Sequence, residues 1–538
     1  MPPDLIDQLQ HIATTAPARI ALRDAQQSIR YDELVARVHH AAGQLTALGL
    51  QPGDRLIIWT NKRPETVITL LAALTTGIVF VPLHPALRPA QLRQIFTRAE
   101  ARGLIIDKAH AHALELSTEQ LDAATLTTST EVLGFCAGPD EPPIFFDTTA
   151  HTGQTHKERI DAPQAYQPDA LAALLYTSGS TGLPKGVMVT RANLTIGAQA
   201  VCDYLGLTAE DEILAVLPLS FDYGLSQITT ALMAGAGIYL QDYLLPNDLK
   251  KPLMNAGITV LAGTPGLLIP LSHQHWLPDC PTLRVITNSG GRLPISAVRA
   301  IRTARPRTRL FLMYGLTEAF RASFLPPDEV DAHPESIGRA FAATTLGLVS
   351  EQGSLYPDQG TAEGELIQGG PLVTDGYFND PIATAERFRP PPTGWPNPND
   401  KRVVYSGDRV RRDADGRLYF LGRRDDQIKN QGFRVSPEEI ETAALQFPGV
   451  REALAFGYAP PDSPEASEKI GLVIAPSIDT QALARWLKQT LAPYQQPAHI
   501  MDLVNLPRSA NGKLDRHAAR EMLIATLSGA HPDGRTLR

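Results

Sequence analysis

Cysteine is nearly absent from the chain. The three present, Cys136, Cys202 and Cys280, are too few and too scattered for a disulfide framework or a thiolate zinc site, and a reducing cytoplasm fits such usage. Basic clusters are missing too. Lys and Arg total 49 against 57 Asp and Glu, a formal net charge of −8, and no cationic run is present to neutralise a phosphate backbone, which argues against nucleic acid as a partner. The opening Met1-Pro2-Pro3-Asp4 lacks the basic and then apolar pattern of a secretory signal. The nearest approach to a membrane segment is Val67 to Leu83, but Gly77 and Pro82 divide it and it falls short of the ~20 residues a span needs. It reads as a helix feeding a buried strand.

What is present is length and alternation. A chain of 538 residues exceeds what one hydrophobic core supports, so a large domain and at least one smaller one are expected. Short apolar runs (Leu56-Ile57-Ile58-Trp59, Ile78-Val79-Phe80-Val81, Leu104-Ile105-Ile106) alternate with helical patterns from Pro64 and from Pro89 to Ala99, the sign of βαβ units and mostly parallel sheets. A turn-rich section from about Thr127 to Gln167 reads as a surface excursion. Prolines 390, 391, 392, 396 and 398 mark a break that neither helix nor central strand tolerates. The charged segment Gly422-Arg423-Arg424-Asp425-Asp426 suits an exposed linker. Beyond it, a helix over Pro437 to Gln446, strands over Ala453 to Phe456 and Gly471 to Ile474, and an amphipathic helix bearing Leu483, Trp486, Leu487 and Leu491 predict a small α+β domain.

The most informative local sequence is Tyr176-Thr177-Ser178-Gly179-Ser180-Thr181-Gly182-Leu183-Pro184-Lys185-Gly186, following the apolar run Leu171 to Leu175. Glycines admit a ligand close to the backbone, hydroxyls and exposed N–H groups donate to anionic oxygens, and a lysine adds positive charge, so the loop can wrap phosphates. It is neither a Walker A sequence nor a nucleophile elbow. His110 with His112 and His273 with His275 form His-x-His pairs without further ligands in a recognised spacing, and read as surface polarity. Cys280 shows no sign of thiolate activation. The stripe around Trp486 reads as core packing rather than a membrane surface.

This loop resembles the phosphate loop of the adenylate-forming superfamily: acyl-CoA synthetases, adenylation domains of nonribosomal peptide synthetases, and firefly luciferase. The resemblance continues in order through Tyr314-Gly315-Leu316-Thr317-Glu318, Gly364-Glu365-Leu366, Gly376-Tyr377-Phe378, Tyr405-Ser406-Gly407-Asp408, Gly422 to Lys429, and Asn511-Gly512-Lys513-Leu514-Asp515-Arg516. It covers about residues 10 to 525. The fold it implies is α/β: a large N-terminal domain (1–421) of mixed parallel sheets with a β-barrel-like subdomain, a hinge (422–427), a small mobile α+β domain (428–527) and a tail (528–538).

The resemblance also implies roles. Thr177, Ser178, Gly179, Ser180, Thr181, Gly182 and Lys185 would wrap the phosphates of ATP. Thr317 would touch the α-phosphate and Glu318 would hold Mg²⁺, a hard cation suited to oxygen ligands. Tyr314, Gly290 and Gly291 would lie along the adenine, Asp408 and Arg423 would bind the ribose, Lys513 would bridge the substrate carboxylate and the α-phosphate, and Asp425 would be the pivot. The acyl group would then pass to the thiol of coenzyme A or of a separate carrier protein's phosphopantetheine arm, since no carrier module follows residue 527.

The segment Leu217 to Leu225 resembles the stretch lining the acyl pocket, which would place Asp222, Tyr223, Ser226 and Ser289 around the acid. Asp222 either pairs with an amino-acid ammonium group or is a structural carboxylate bonded to nearby backbone. The runs Tyr314 to Arg321, Leu325 to Asp331 and Glu335 to Gly338 look like a bacterial branch of acyl-CoA ligases associated with exosortase systems. A fatty, aryl or short-chain acid therefore stands beside an amino acid as substrate. Two competing readings are a catalytically silent nucleotide-binding scaffold, disfavoured by intact Lys185, Thr317, Glu318, Asp408 and Lys513, and a luciferase-like oxygenase, for which no luciferin pocket is identifiable.

Overall fold

The structure, a computed structural model, describes residues 3–87, 89–113, 132–136, 144–147, 167–177, 184–423, 428–430, 433–435, 437–459, 468–491, 495–509 and 512–528. Two large sheets carry the strands up to residue 340, and both are parallel at their centres. In the seven-stranded sheet, Ala101–Asp107, Arg55–Trp59, Val79–Pro82 and Leu171–Thr177 run parallel as neighbours. Helices cover both faces of such a sheet, which is why these strands read as continuous apolar runs. Helix Pro64–Thr76 starts on a proline, stops at left-handed Gly77 (φ 74°) and is buried along nearly its whole length before feeding Val79–Pro82, as predicted for this apolar stretch.

The nine-stranded sheet has a parallel centre in the order Arg309–Tyr314, Val285–Asn288, Val260–Gly263, Glu212–Ala215, Gly237–Leu240 and Ile20–Arg23. Because crossovers in such sheets leave the carboxyl ends of the strands open, ligand sites form there. Thr177, Asn288 and Tyr314 each end a strand on these sheets.

The third sheet is antiparallel. Strand Val403–Arg412 pairs with Ala362–Gly369, Phe388–Arg389 and Leu418–Arg423, and Thr345–Val349 adds an outer strand. The expected barrel-like subdomain is this five-stranded sheet, and among the described residues no pairing closes it.

After residue 428 the architecture is a three-stranded sheet, Glu452–Tyr458, Lys469–Ala475 and His499–Asp502, between helices. Its strand alternation divides the core. Ile470, Leu472 and Ile474 pack with Ile440, Leu483 and Leu487, whereas Val473 faces the other way onto Ala519 and Leu523. Trp486 donates from its indole nitrogen to the Ala443 carbonyl at 3.2 Å, so the amphipathic stripe is core packing, as expected. Among the described residues no helix is long and apolar enough to cross a membrane.

Two expectations need correction. Within the supposed excursion, Val132–Cys136 and Ile144–Asp147 form a hairpin that extends the seven-stranded sheet antiparallel to Ala101–Asp107; the rest of the section lies outside the described residues. His110 is not surface polarity. It is 7% exposed, its Nδ1 lies 2.6 Å from Asp107, its Nε2 lies 2.9 Å from the Pro85 carbonyl, and its ring lies against Trp59. Its neighbour His112 has no described side chain, while His273 and His275 are exposed as expected. Cys280 is fully buried, and burial pushes its thiol up, as does burial at Cys202, to about 12.

The helix that leaves the phosphate-loop hairpin, Arg191–Leu205, is anchored at its first residue. Arg191 is buried, forms an ion pair with buried Asp4 and donates to the Leu74 carbonyl. Replacing Arg191 by leucine leaves the Asp4 carboxylate buried without that cation, and is expected to cost about 3–5 kcal/mol, read as a lowered urea midpoint. An unchanged midpoint would show that the pair contributes nothing to the fold.

Candidate active site

A cavity of about 900 Å³ opens at the carboxyl ends of the parallel strands and is bounded by the antiparallel sheet and by the Lys513 turn. Ten residues singled out in the sequence line it: Thr177, Lys185, Gly290, Gly291, Tyr314, Thr317, Glu318, Asp408, Arg423 and Lys513. Ser178, Gly179, Ser180, Thr181, Gly182 and Asp425 lie outside the described residues.

Sequence distance collapses at Asp408. It sits within the strand Val403–Arg412, directly across from Arg423. It accepts a hydrogen bond from the Tyr314 hydroxyl and lies 3.3 Å from the Arg423 guanidinium. Burial pushes its carboxyl up, and Arg423 and the Tyr314 hydroxyl pull it partly back. Tyr314 is in turn pushed well above the ordinary phenol range by burial and by the Asp408 charge. The preceding residue, at a register shift in the strand pairing, is fixed by the Gly407 N–H donating to Glu365 at 2.9 Å.

Glu318 is held from two sides. Its carboxylate accepts from the Tyr377 hydroxyl at 2.6 Å, while its carbonyl accepts from both the backbone and the hydroxyl of Thr374 at 2.9 Å. The Tyr377 segment is tied to the phosphate-loop hairpin through Met188 N to Gly376 O and Phe378 N to Gly186 O, both 2.8 Å, and Lys185 lies 5.1 Å over the Tyr377 ring. The sequence contained Tyr377 within a motif but carried no sign that its hydroxyl would reach Glu318. Arg387, which also lines the cavity, lay in a helix without a motif and was missed entirely.

Lys513 projects into the cavity. It stays accessible to water there, yet protein surrounds it: its ammonium lies 4.9 Å over the Phe221 ring. Gly290 leaves the space. At φ 77° it occupies the left-handed region, and an added Cβ would stand 3.2 Å from Phe221 and 3.4 Å from Lys513 Cε. Desolvation lowers the Lys513 pKa, with Arg423 acting in the same direction, while Asp222, Glu318 and Asp408 oppose it.

The residues expected around the acid lie behind the cavity wall. Asp222 is 4% exposed at the start of helix Asp222–Ala234, paired with buried Arg321 at 3.1 Å and in contact with the Thr317 hydroxyl at 3.4 Å. Neither alternative read from the sequence, an open ammonium seat or a backbone-bonded carboxylate, describes this pairing. Tyr223 bonds through its hydroxyl to Thr287, Ser226 faces Thr230 at 3.3 Å, and Ser289 is buried beside Gly263. Helix and loop pack so closely that a Cβ on Gly224 would stand 1.9 Å from the Pro218 carbonyl oxygen.

Among the described residues no group of three or more His, Cys, Asp or Glu is arranged to hold a metal ion. Glu318 is a single carboxylate at the edge of a cavity large enough for a nucleotide, which fits Mg²⁺ bound by one protein oxygen and by phosphates rather than by a protein cage.

The ammonium of Lys513 should lose its proton below the 10.5 of an ordinary lysine. Its dimethylated ¹³C resonance is expected to titrate at lower pH than those of exposed lysines, and Arg423→Gln should shift that midpoint upward by removing a neighbouring cation. A midpoint at the ordinary value would contradict the enclosed position.

A family profile described as AMP-binding enzyme matches residues 9–378. Tyrocidine synthase 3 of Brevibacillus parabrevis is 29% identical over 93% of this chain, which spans only 7% of that protein; the other first curated relatives are likewise much longer than this chain. An L-proline–[L-prolyl-carrier protein] ligase of Streptomyces coelicolor is 31% identical over 90% of this chain and 91% of its own. Among solved structures, ATP-bound MatB of Rhodopseudomonas palustris superposes with a TM-score of 0.81 at 26% identity, covering 98% of this chain and 100% of its own. The AMP complex of O-succinylbenzoate coenzyme A synthetase of Bacillus subtilis gives 0.75 at 25% identity, covering 96% and 97%. With its profile match, full-length relatives and shared fold, this chain belongs to the AMP-binding enzyme family, the adenylate-forming enzymes.

Proposed function

We propose that the protein is an AMP-forming ligase that activates a carboxylic acid with ATP and Mg²⁺ and transfers the acyl group to a thiol. The observation that carries this reading is the convergence of Lys513, Thr317, Glu318 and Asp408 on one cavity from separate parts of the chain. In the first step a carboxylate oxygen attacks the α-phosphorus, the bond to pyrophosphate breaks, and an acyl-adenylate remains. Two anions meet there, and Lys513 and Lys185 supply positive charge where negative charge concentrates. Thr317 donates to the α-phosphate, Asp408 and Arg423 hold the ribose, and the Tyr314 side with Gly290 and Gly291 receives the base. Glu318, aimed by Tyr377, would hold Mg²⁺, whose charge offsets that of the phosphates when bound. In the second step a thiolate attacks the acyl carbon and the bond to AMP breaks, the thiol proton going to solvent.

The acceptor is coenzyme A or a carrier protein's phosphopantetheine arm; relatives with carrier-protein and coenzyme A ligase names support both. We place the second step after a rotation of the segment 428–527 about the Asp425 region, so that Lys513 leaves the cavity. A cytoplasmic setting fits a chain with only three cysteines.

Substrate-dependent exchange of labelled pyrophosphate into ATP reads the first step alone. Lys513→Ala is expected to abolish exchange while sparing thiol transfer from a supplied acyl-adenylate. If it spares both steps, the role is wrong. Tyr377→Phe frees the Glu318 carboxylate from its aiming bond and should lower kcat/KM for Mg²⁺-ATP about 10-fold, the order expected for a group supporting a metal ligand. A loss of thermal stability without that kinetic change would make Tyr377 purely structural.

A further inference from the structure

Arg321 follows the Tyr314–Glu318 segment and is 3% exposed. Its Nη1 donates to Asp222 Oδ2 and to the Phe320 carbonyl, both at 3.1 Å. The remaining edge of the guanidinium is the unusual feature. Nε and Nη2 are sealed from solvent, and neither has an acceptor in hydrogen-bonding geometry among the described residues. The Tyr204 hydroxyl, which donates to the Met313 sulfur at 3.1 Å, offers Arg321 a neutral oxygen and not an anionic partner. These two nitrogens form one side of the planar fork, the side that grips a carboxylate through two parallel hydrogen bonds. Leaving charged donors buried and unmet is costly, so their placement calls for an arriving acceptor.

Two further observations fix the placement. Phe320 carries φ 53°, ψ −76°, a conformation L residues rarely adopt, and this turn directs Arg321 inward over the Tyr223 ring at 5.0 Å. Asp222 links Arg321 to the chemistry, because its other carboxylate oxygen lies 3.4 Å from the Thr317 hydroxyl and its charge acts on Lys513. Thr317 lines the cavity and the Asp222–Arg321 pair lies directly behind it, so this is the charged pair that an acid meets beyond Thr317 once its reacting carboxylate faces Lys513. There the Asp222 charge is already balanced. An incoming ammonium would add a second cation beside Arg321, whereas an incoming anion would fill the open fork.

We infer that Arg321 is the specificity-determining residue of the acyl pocket and that the substrate is a dicarboxylic acid whose second carboxylate is bound by Arg321 Nε and Nη2. Asp222 orients the guanidinium and is not an ammonium seat. The inference rests on the ligase reading and names the acid for it.

The test compares pyrophosphate exchange driven by malonate, succinate and glutarate with exchange driven by propionate, butyrate, valerate and amino acids with neutral side chains. Mg²⁺-ATP binding is measured in parallel by calorimetry. A diacid is expected to give the highest kcat/KM. The paired substitution Arg321→Gln with Asp222→Asn keeps the buried site neutral and hydrogen-bonded, and should raise the diacid KM about 100-fold, the order for losing one partner of a buried charge pair. The diacid-to-monoacid ratio of kcat/KM should fall toward one. Exchange driven by monoacids or neutral amino acids and not by diacids overturns the inference while leaving the ligase intact, as does a diacid KM unmoved by the paired substitution. Failure of every acid together with failure to bind ATP overturns the ligase reading as well.

Discussion

The placement of one ammonium group organises this protein. Lys513 arrives from a turn that, read alone, belongs on a solvated surface, and it ends in a cavity within the fields of Asp222, Glu318 and Asp408. Enclosure disfavours its charge and the three carboxylates favour it. On the proposed reading, that balance keeps a cation poised where a carboxylate would approach a phosphate, a meeting of like charges that water would otherwise have to screen. It depends on space as well as charge, since Gly290 has no side chain to hold Lys513 away.

The carboxylates are themselves held by neighbours from distant sequence. Tyr377 fixes Glu318, Tyr314 and Arg423 fix Asp408, and Arg321 fixes Asp222. The Tyr314–Asp408 pairing joins the carboxyl edge of the parallel strands to the antiparallel sheet, whereas Arg423 faces Asp408 from a neighbouring strand of that same sheet. Supporting bonds of this kind lock rotamers before the ligand arrives, so orientation does not have to be found during the reaction.

Much of this was legible in the sequence. Apolar runs such as Leu56 to Trp59 and Ile78 to Val81 announced buried parallel strands, because burial on both faces leaves no polar alternation. Motif residues with fixed chemistry, Thr317, Glu318, Asp408 and Lys513, were found by type and order, and all four line the cavity. Pairings were not legible. No local pattern joins Tyr377 to Glu318 across 59 positions or Arg321 to Asp222 across 99. His110 was misread although Asp107 lies three residues before it, because the pair is buried only once Pro85 and Trp59 pack against the ring. The hairpin at Val132–Cys136 was missed because its few strand residues are scattered through a turn-rich section.

The fate of a single oxygen atom tests the central claim most directly. With an acid that supports exchange, labelled with ¹⁸O in its carboxylate, and with ATP, Mg²⁺ and thiol, the account predicts that one labelled oxygen appears in the phosphoryl group of AMP, because that oxygen attacks the α-phosphorus and stays there when the thiol takes the acyl group. Label in inorganic phosphate, or ADP in place of AMP, would contradict it.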